Sequence, residues 1–422
     1  MRGLSKAVSI TLAAPVLAAL SLAATSKGAA TAQAATAPPW ATCDQAGSPQ
    51  PGWSSGALPA DSARHHRFWL SDCYPAAASP DAQPWLAFDP KTQPEQYLWA
   101  VLDYFYEGNI RDGDADASFD PRQNPVRGWY NAPWLDYSPN GREGLHGLTR
   151  ERTSCRTELG PRQQRIWDNY AVGFYNAPGA VTLGKVWRGH GEPVSASAAM
   201  PEGTVAAKLL FTTATEAEAP YLKGSPKWPA YIYANTHDRD FFAPEHARRV
   251  VREVRLLQVD IAVRDSRVNA STGWVFGTFV YGGGPGVRPN TDAGWSNLTP
   301  VGLMWGNNNG EQWINTAQHT HLGRAGRLDV PVDNPKSSCL SCHSTAEVFP
   351  VGGPPPPGLI PGPHDRWQNW FNDLPADTAF RPGGASLDYS LQLAVGIGNY
   401  KDFQDGQVPQ LPPFCDPSGF AL

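Results

Sequence analysis

Methionine is nearly missing from this chain: of 422 residues only Met1, Met200 and Met304 carry a thioether, and none follows residue 304. Charge is also sparse, and no basic excess exists. Thirty-four Lys and Arg stand against 39 Asp and Glu, a formal net charge of −5. That balance argues against nucleic acid or an anionic membrane surface as the main partner. Past residue 34 no apolar run is long enough to span a bilayer, so no integral membrane segment is expected. Cysteine is limited to six positions. Glycine and proline, 41 of each, and 16 tryptophans are what the chain has instead. Such a composition predicts a loop-rich protein with many buried aromatic anchors and few long helices.

The first residues carry two cations, Arg2 and Lys6, then an uncharged stretch from Ala7 to Ser26, then Ala32-Gln33-Ala34. Cations, an apolar stretch and a small-residue A-x-A site in that order make residues 1–34 a secretory signal peptide, to be removed on export. No twin arginine and no cysteine just after the cut are present, so neither a Tat signal nor a lipoprotein anchor is expected. The mature protein is therefore expected in the periplasm or outside the cell. In an oxidising compartment, Cys43, Cys73, Cys155 and Cys415 would form two disulfides, with three connectivities open to the sequence. Chain proximity favours Cys43–Cys73, which leaves Cys155–Cys415 to tie the tail back.

Residues 35–199 read as a loop-rich N-terminal region with one clear helix over 94–107. There Leu98, Val101, Leu102 and Phe105 recur at helical spacing before Gly108. Two similar patches, GWYNAPW at 128–134 and GFYNAPG at 173–179, read as similar turns around Asn-Ala-Pro and not as an architectural repeat. From about residue 200 the texture changes to strands: 203–213, 250–265 and 272–281. In the second, Val251, Leu257, Val259, Ile261 and Val263 are expected on one face, with Arg252, Gln258 and Asp260 on the other. The loop from Asp265 to Thr272 is short enough to join the second and third strands as a hairpin. GGPPPPGLIPGP (352–363) can be neither helix nor central strand, and LDYSLQLAVGIG (387–398) is expected as a short helix in the C-terminal tail.

The segment Ser338-Cys339-Leu340-Ser341-Cys342-His343 supplies two thiols two residues apart and an imidazole beside the second. On a turn of helix this spacing lets both sulfurs add across the vinyl groups of a haem while the histidine binds iron. A structural zinc site needs two further Cys or His ligands, and only His319-x-His321 is nearby as a partial set. A thioredoxin-type dithiol caps a helix after a strand of a βαβ unit, which the Pro-rich surroundings do not resemble. With the export signal, the pattern indicates one covalent haem c held by Cys339 and Cys342, with His343 on the iron. The small helical cytochrome c domain, with a methionine downstream as sixth ligand, does not fit, because no methionine follows His343.

Sheet strands first (GTVAAKLLF, a long strand ending in VRD, then TGWVFGTF), with C-x-x-C-H following, resembles the β-sheet haem c proteins of the cytochrome c-prime beta type over roughly residues 200–350. The segment PVDNPKSSCLSCHSTA is also similar to one in larger bacterial single-haem proteins. The first resemblance implies an α+β fold. An antiparallel-sheet haem-binding core would occupy residues 200–422, with long loop-rich, partly helical extensions and a C-terminal helical tail. It also implies a haem whose second axial side is often open to small molecules. The function expected is electron transfer by a periplasmic monohaem c-type cytochrome with a redox partner protein. The alternative is a haem enzyme or gas-binding protein acting on peroxide or a small nitrogen oxide. A third, haem-free reading is a disulfide-stapled binding protein with aromatic grooves.

Other polar residues carry less specific signals. Lys208, in the first strand, either approaches the haem or lies on the solvent face. Met304 is either a ligand that raises the potential or core filler, and His319 and His321 are loop candidates. Arg142, His146 and Arg150 are four residues apart. They would be a peroxide-cleaving Arg/His pair only on a helix, and Gly141, Gly144 and Gly147 indicate a loop. In a loop they would form ion pairs with Glu143 and Glu151, or hold haem propionates.

Overall fold

The computed structural model describes residues 74–79, 81–110, 119–138, 141–142, 148–187, 192–234, 249–282, 294–307, 313–315, 338–350, 353–359, 367–407 and 415. The expected signal peptide, Cys43, Cys73, Glu143, His146, His319 and His321 lie outside these residues.

The chain begins its regular structure with helix α1 (Pro94–Tyr106). Proline at the first helical position loses no hydrogen bond there, and Gly108, at φ +74°, follows the last turn. Leu98, Val101, Leu102 and Phe105 are buried, as their spacing predicts, and Tyr97 is buried with them. Strands β1 (Tyr137–Ser138) and β2 (Gly141–Arg142) form a short hairpin. Next come β3 (Thr149–Arg150), β4 (Asn169–Tyr175), helix α2 (Ala177–Trp187), β5 (Val205–Thr212), β6 (Lys227–Tyr233), β7 (Arg249–Arg264), β8 (Trp274–Tyr281), β9 (Leu298–Met304) and β10 (Trp313–Asn315). Helix α3 (Cys339–His343), the pair β11 (Glu347–Val348) and β12 (Ala385–Ser386), and helix α4 (Leu391–Gln404) complete the order.

Strands β3 to β10 form one eight-stranded sheet, ordered β10-β9-β8-β7-β5-β4-β3, with β6 paired to β7. Every pairing is antiparallel. The fold is therefore α+β with an antiparallel core. β3 and β4 precede residue 200, so the sheet draws strands from both sides of that position. The Gly-Phe-Tyr-Asn-Ala-Pro patch lies where β4 turns into α2. Asn176 closes that corner, accepting from the Val205 amide at 3.0 Å and donating to the Gly203 carbonyl at 2.9 Å.

The sheet has two unlike faces. One carries Val205, Ala207, Leu209, Val259, Ile261, Val263, Val275 and Phe279, all buried, and α1 lies on it. A Cβ on Gly277 would meet Leu98 of α1 and Ile261, so this close approach requires glycine. The expected single face of β7 breaks at one point. Across from β5 the register shifts between Leu210 and Phe211, and Gln258 and Leu256 become the successive partners. This bulge at Leu257 reverses the inside–outside alternation, so Val251 is 43 % exposed instead of sharing the face of Val259. Finally, Cys155 and Cys415 are joined, 260 residues apart in sequence. Such a link stabilises by about 2–5 kcal/mol, mainly by restricting the unfolded chain.

Candidate functional site

The second face of the sheet carries the site. Because directly paired residues point the same way, Gly173, Lys208, Asp260, Thr278 and Gly302 form a polar and small row across β4, β5, β7, β8 and β9. The neighbouring row is Tyr175, Ala206, Ala262, Phe276 and Met304. Ala206, Lys208, Asp260 and Ala262 are only half-buried, although they sit mid-sheet and their strand neighbours on the α1 side are fully buried. Two of these, Ala206 and Ala262, are small, so the middle of this face is thinly covered.

Helix α3 stands over this face. Ser338 caps it, accepting from the Leu340 amide at 3.2 Å, while the Ser341 hydroxyl accepts from the Ser338 amide at 3.3 Å. Both serines donate to the Asn307 side-chain oxygen, at 2.6 and 2.9 Å, which fixes the helix just beyond the end of β9. The Cys339 amide donates to the Met304 sulfur at 3.2 Å. Ser338 and Ser341 therefore build the turn on which the two cysteines and the histidine are carried.

The sequence-predicted site residues come together here. Cys339 and Cys342 are free thiols. Burial pushes the Cys339 thiol well up, helped by the nearby Asp260 charge and Cys342, and burial alone pushes Cys342 up to about 11. Both thiols are half-buried in surface terms, with enough protein around them to disfavour the thiolate. Buried neutral thiols are poor nucleophiles and poor redox dithiols, which work through lowered values. Burial pushes the His343 imidazole down to about 4. Lys208 adds to the shift, and the hydrogen bond to Tyr389 opposes it. The ring is therefore neutral at pH 7. It lies 4.4 Å from the Phe276 ring, and its Nδ1 meets the Tyr389 carbonyl at 2.8 Å. A carbonyl only accepts, so Nδ1 carries the proton and Nε2 keeps its lone pair for a metal.

The remaining candidates fall into place differently. Lys208 is on the α3 face, ion-paired to Glu151 at 3.0 Å. Asp260 stands across from it, accepting from Gln258 at 2.7 Å and Thr278 at 2.9 Å. Burial raises the Asp260 carboxyl, and Lys208 and the two hydrogen bonds restrain the rise. Met304 is buried and serves as an acceptor at the start of α3. Arg142 and Arg150 lie on strands β2 and β3, not on a helix. Arg150 is buried, 3.4 Å from Asp136, and donates to the Tyr137 carbonyl at 3.1 Å. Its acid partner is thus Asp136, whereas Glu151 belongs to Lys208. Sequence reasoning missed Thr278, Phe276 and Asn307, and placed Asp260 only on the polar side of a strand. A lone aspartate in mid-strand was the available signal for Asp260.

Among the described residues no group of three or more His, Cys, Asp and Glu side chains could hold a metal ion, so Cys339, Cys342 and His343 do not converge as zinc ligands would. Also among the described residues, no helix is long and apolar enough to cross a membrane. No protein-family model, no curated protein and no solved structure matches the chain.

Proposed function

We propose that this chain is an exported monohaem c-type electron carrier whose haem packs on the second face of the antiparallel sheet. Cys339 and Cys342 would hold the porphyrin as thioethers, and His343 would bind the iron through Nε2. The observation that carries this reading is the imidazole beside two unionised thiols on one turn of helix, its Nδ1 proton already taken by a carbonyl. A floor of half-buried Ala206 and Ala262 supports it, since a large planar group needs small residues beneath it. When bound, the haem supplies one-electron ferric/ferrous chemistry, with its potential set by burial and hydrogen bonding. The chain's own part is to orient the ligand, shield it, and present the site to a redox partner protein. The Cys155–Cys415 disulfide and the N-terminal pattern support a periplasmic or secreted location.

A haem stain surviving denaturing electrophoresis should be positive after export with haem-attachment machinery, and should be lost in Cys339→Ser/Cys342→Ser. His343→Ala should keep the stain and lose the native ferric spectrum. A negative stain from the wild-type chain sinks the proposal.

A second reading, a haem enzyme or gas-binding protein acting on peroxide or a small nitrogen oxide, is favoured by one observation. Lys208 and Asp260 place a cation and a carboxylate on the same half-buried floor, where proton movement to a bound small molecule has both an acid and a base. The ferric spectrum separates the two: six-coordinate low-spin iron supports the carrier, and high-spin iron that takes up cyanide supports the enzyme.

A further inference from the structure

The turn that faces His343 is built against local preference. Asp388 and Tyr389 are consecutive non-glycine residues in the left-handed region, at φ +46° and +64°. Two such residues in a row persist only where the surroundings hold them. Here the hold is a carboxylate. Asp388 accepts from the Met200 amide at 2.7 Å through Oδ2 and from the Trp274 indole N–H at 3.0 Å through Oδ1. Trp274 begins β8, two residues before the Phe276 that packs on the His343 ring. The turn is closed around this point by Leu387 N–H to the Ala346 carbonyl at 2.9 Å, Tyr389 O–H to the Leu374 carbonyl at 2.6 Å, and Ser390 Oγ against the Tyr175 hydroxyl at 2.8 Å.

We propose that Asp388 is a positioning residue for His343: by latching Trp274 and Met200 it fixes the turn whose Tyr389 carbonyl takes the Nδ1 proton and directs Nε2 to the ligand. This rests on the haem reading for its redox consequence, though not for its geometry. A hydrogen bond at the far nitrogen makes an imidazole a stronger donor to a metal. A stronger donor favours the ferric state, so releasing the latch raises the midpoint potential. Asparagine tolerates left-handed backbone as well as aspartate does. Asp388→Asn therefore keeps the turn's dihedral angles accessible and removes only one of the two acceptor oxygens, setting an NH2 against a buried N–H.

Asp388→Asn should retain covalent haem, since both cysteines are intact. It should raise the midpoint potential by about tenfold in the ferrous-to-ferric ratio, about 59 mV for one electron. Trp274→Phe keeps the carboxylate and removes one donor, and should shift the potential the same way by less. If Asp388→Asn does not accumulate, Trp274→Phe carries the test. A purely structural role would lower the melting temperature and leave the potential alone; wild-type potentials in both variants would overturn the proposal. Should the wild-type chain stain negative for haem, the functional reading fails on its own. The nitrogen chemical shifts of His343 in the wild-type and Asp388→Asn chains then still decide the latch. A lost Nδ1–H tautomer preference in the variant upholds it, and unchanged shifts overturn it.

Discussion

Cys339 and Cys342 occupy one turn of helix, and their surroundings decide between chemistries that the same five letters allow. A redox dithiol or thiolate nucleophile needs positive charge or a helix end to draw its proton off. Here the charge that acts on Cys339 is the Asp260 carboxylate, which does the opposite. In the chain produced without haem attachment, Cys342 should alkylate with iodoacetamide at pH 7.5 about 100-fold more slowly than a free cysteine. That factor follows from a thiol lifted from 9.0 to about 11. Mass spectrometry of timed reactions checks this, and rapid labelling would return the dithiol reading to consideration. The sequence showed these cysteines and His343 plainly, because C-x-x-C-H is a fixed spacing within one short segment. It did not show Tyr389 or Thr278, because a backbone carbonyl has no residue signature and a strand threonine has many uses.

At the scale of elements, the expected helix over 94–107 and the three strands over 203–213, 250–265 and 272–281 match α1, β5, β7 and β8 closely. These are the segments whose apolar period is long and uninterrupted. β4 and α2 were hidden by Asn176 and Pro178, which read as a turn and are in fact the corner between a strand and a helix. β7 was legible in extent but not in facing, since a bulge leaves no mark in the alternation until its partner strand is known. The packing of α1 on β8 yields a direct test. Gly277→Ala sets a methyl group against Leu98 and Ile261, and should cost about 1–3 kcal/mol in urea unfolding. An unchanged midpoint would mean that the helix stands further from the sheet than these contacts require.

For the molecule as a whole, buried phenols set the alkaline limit of stability. Tyr175 is pushed up to about 12 by burial, despite an opposing hydrogen bond from Ser390, and Tyr97, Tyr104, Tyr170 and Tyr389 are raised by burial as well. In the unfolded chain these groups ionise near 10, so between about pH 10 and 12 the folded state holds more protons. Stability is therefore full below pH 10 and falls as pH rises through the folded values. Tyrosinate absorbance near 295 nm should appear in two stages, the second coinciding with loss of the circular dichroism of the fold. A single smooth titration would count against the burial of these rings.

The disulfide between Cys155 and Cys415 also dictates an order of assembly. Cys415 is synthesised after every other cysteine of the chain, and the ring it closes contains Cys339 and Cys342. Once the sheet has formed beneath α3, both thiols are half-buried and neutral. On the haem reading proposed above, an attaching enzyme would have to reach Cys339 and Cys342 before that folding, and the 260-residue ring that Cys415 closes would form around thiols already modified.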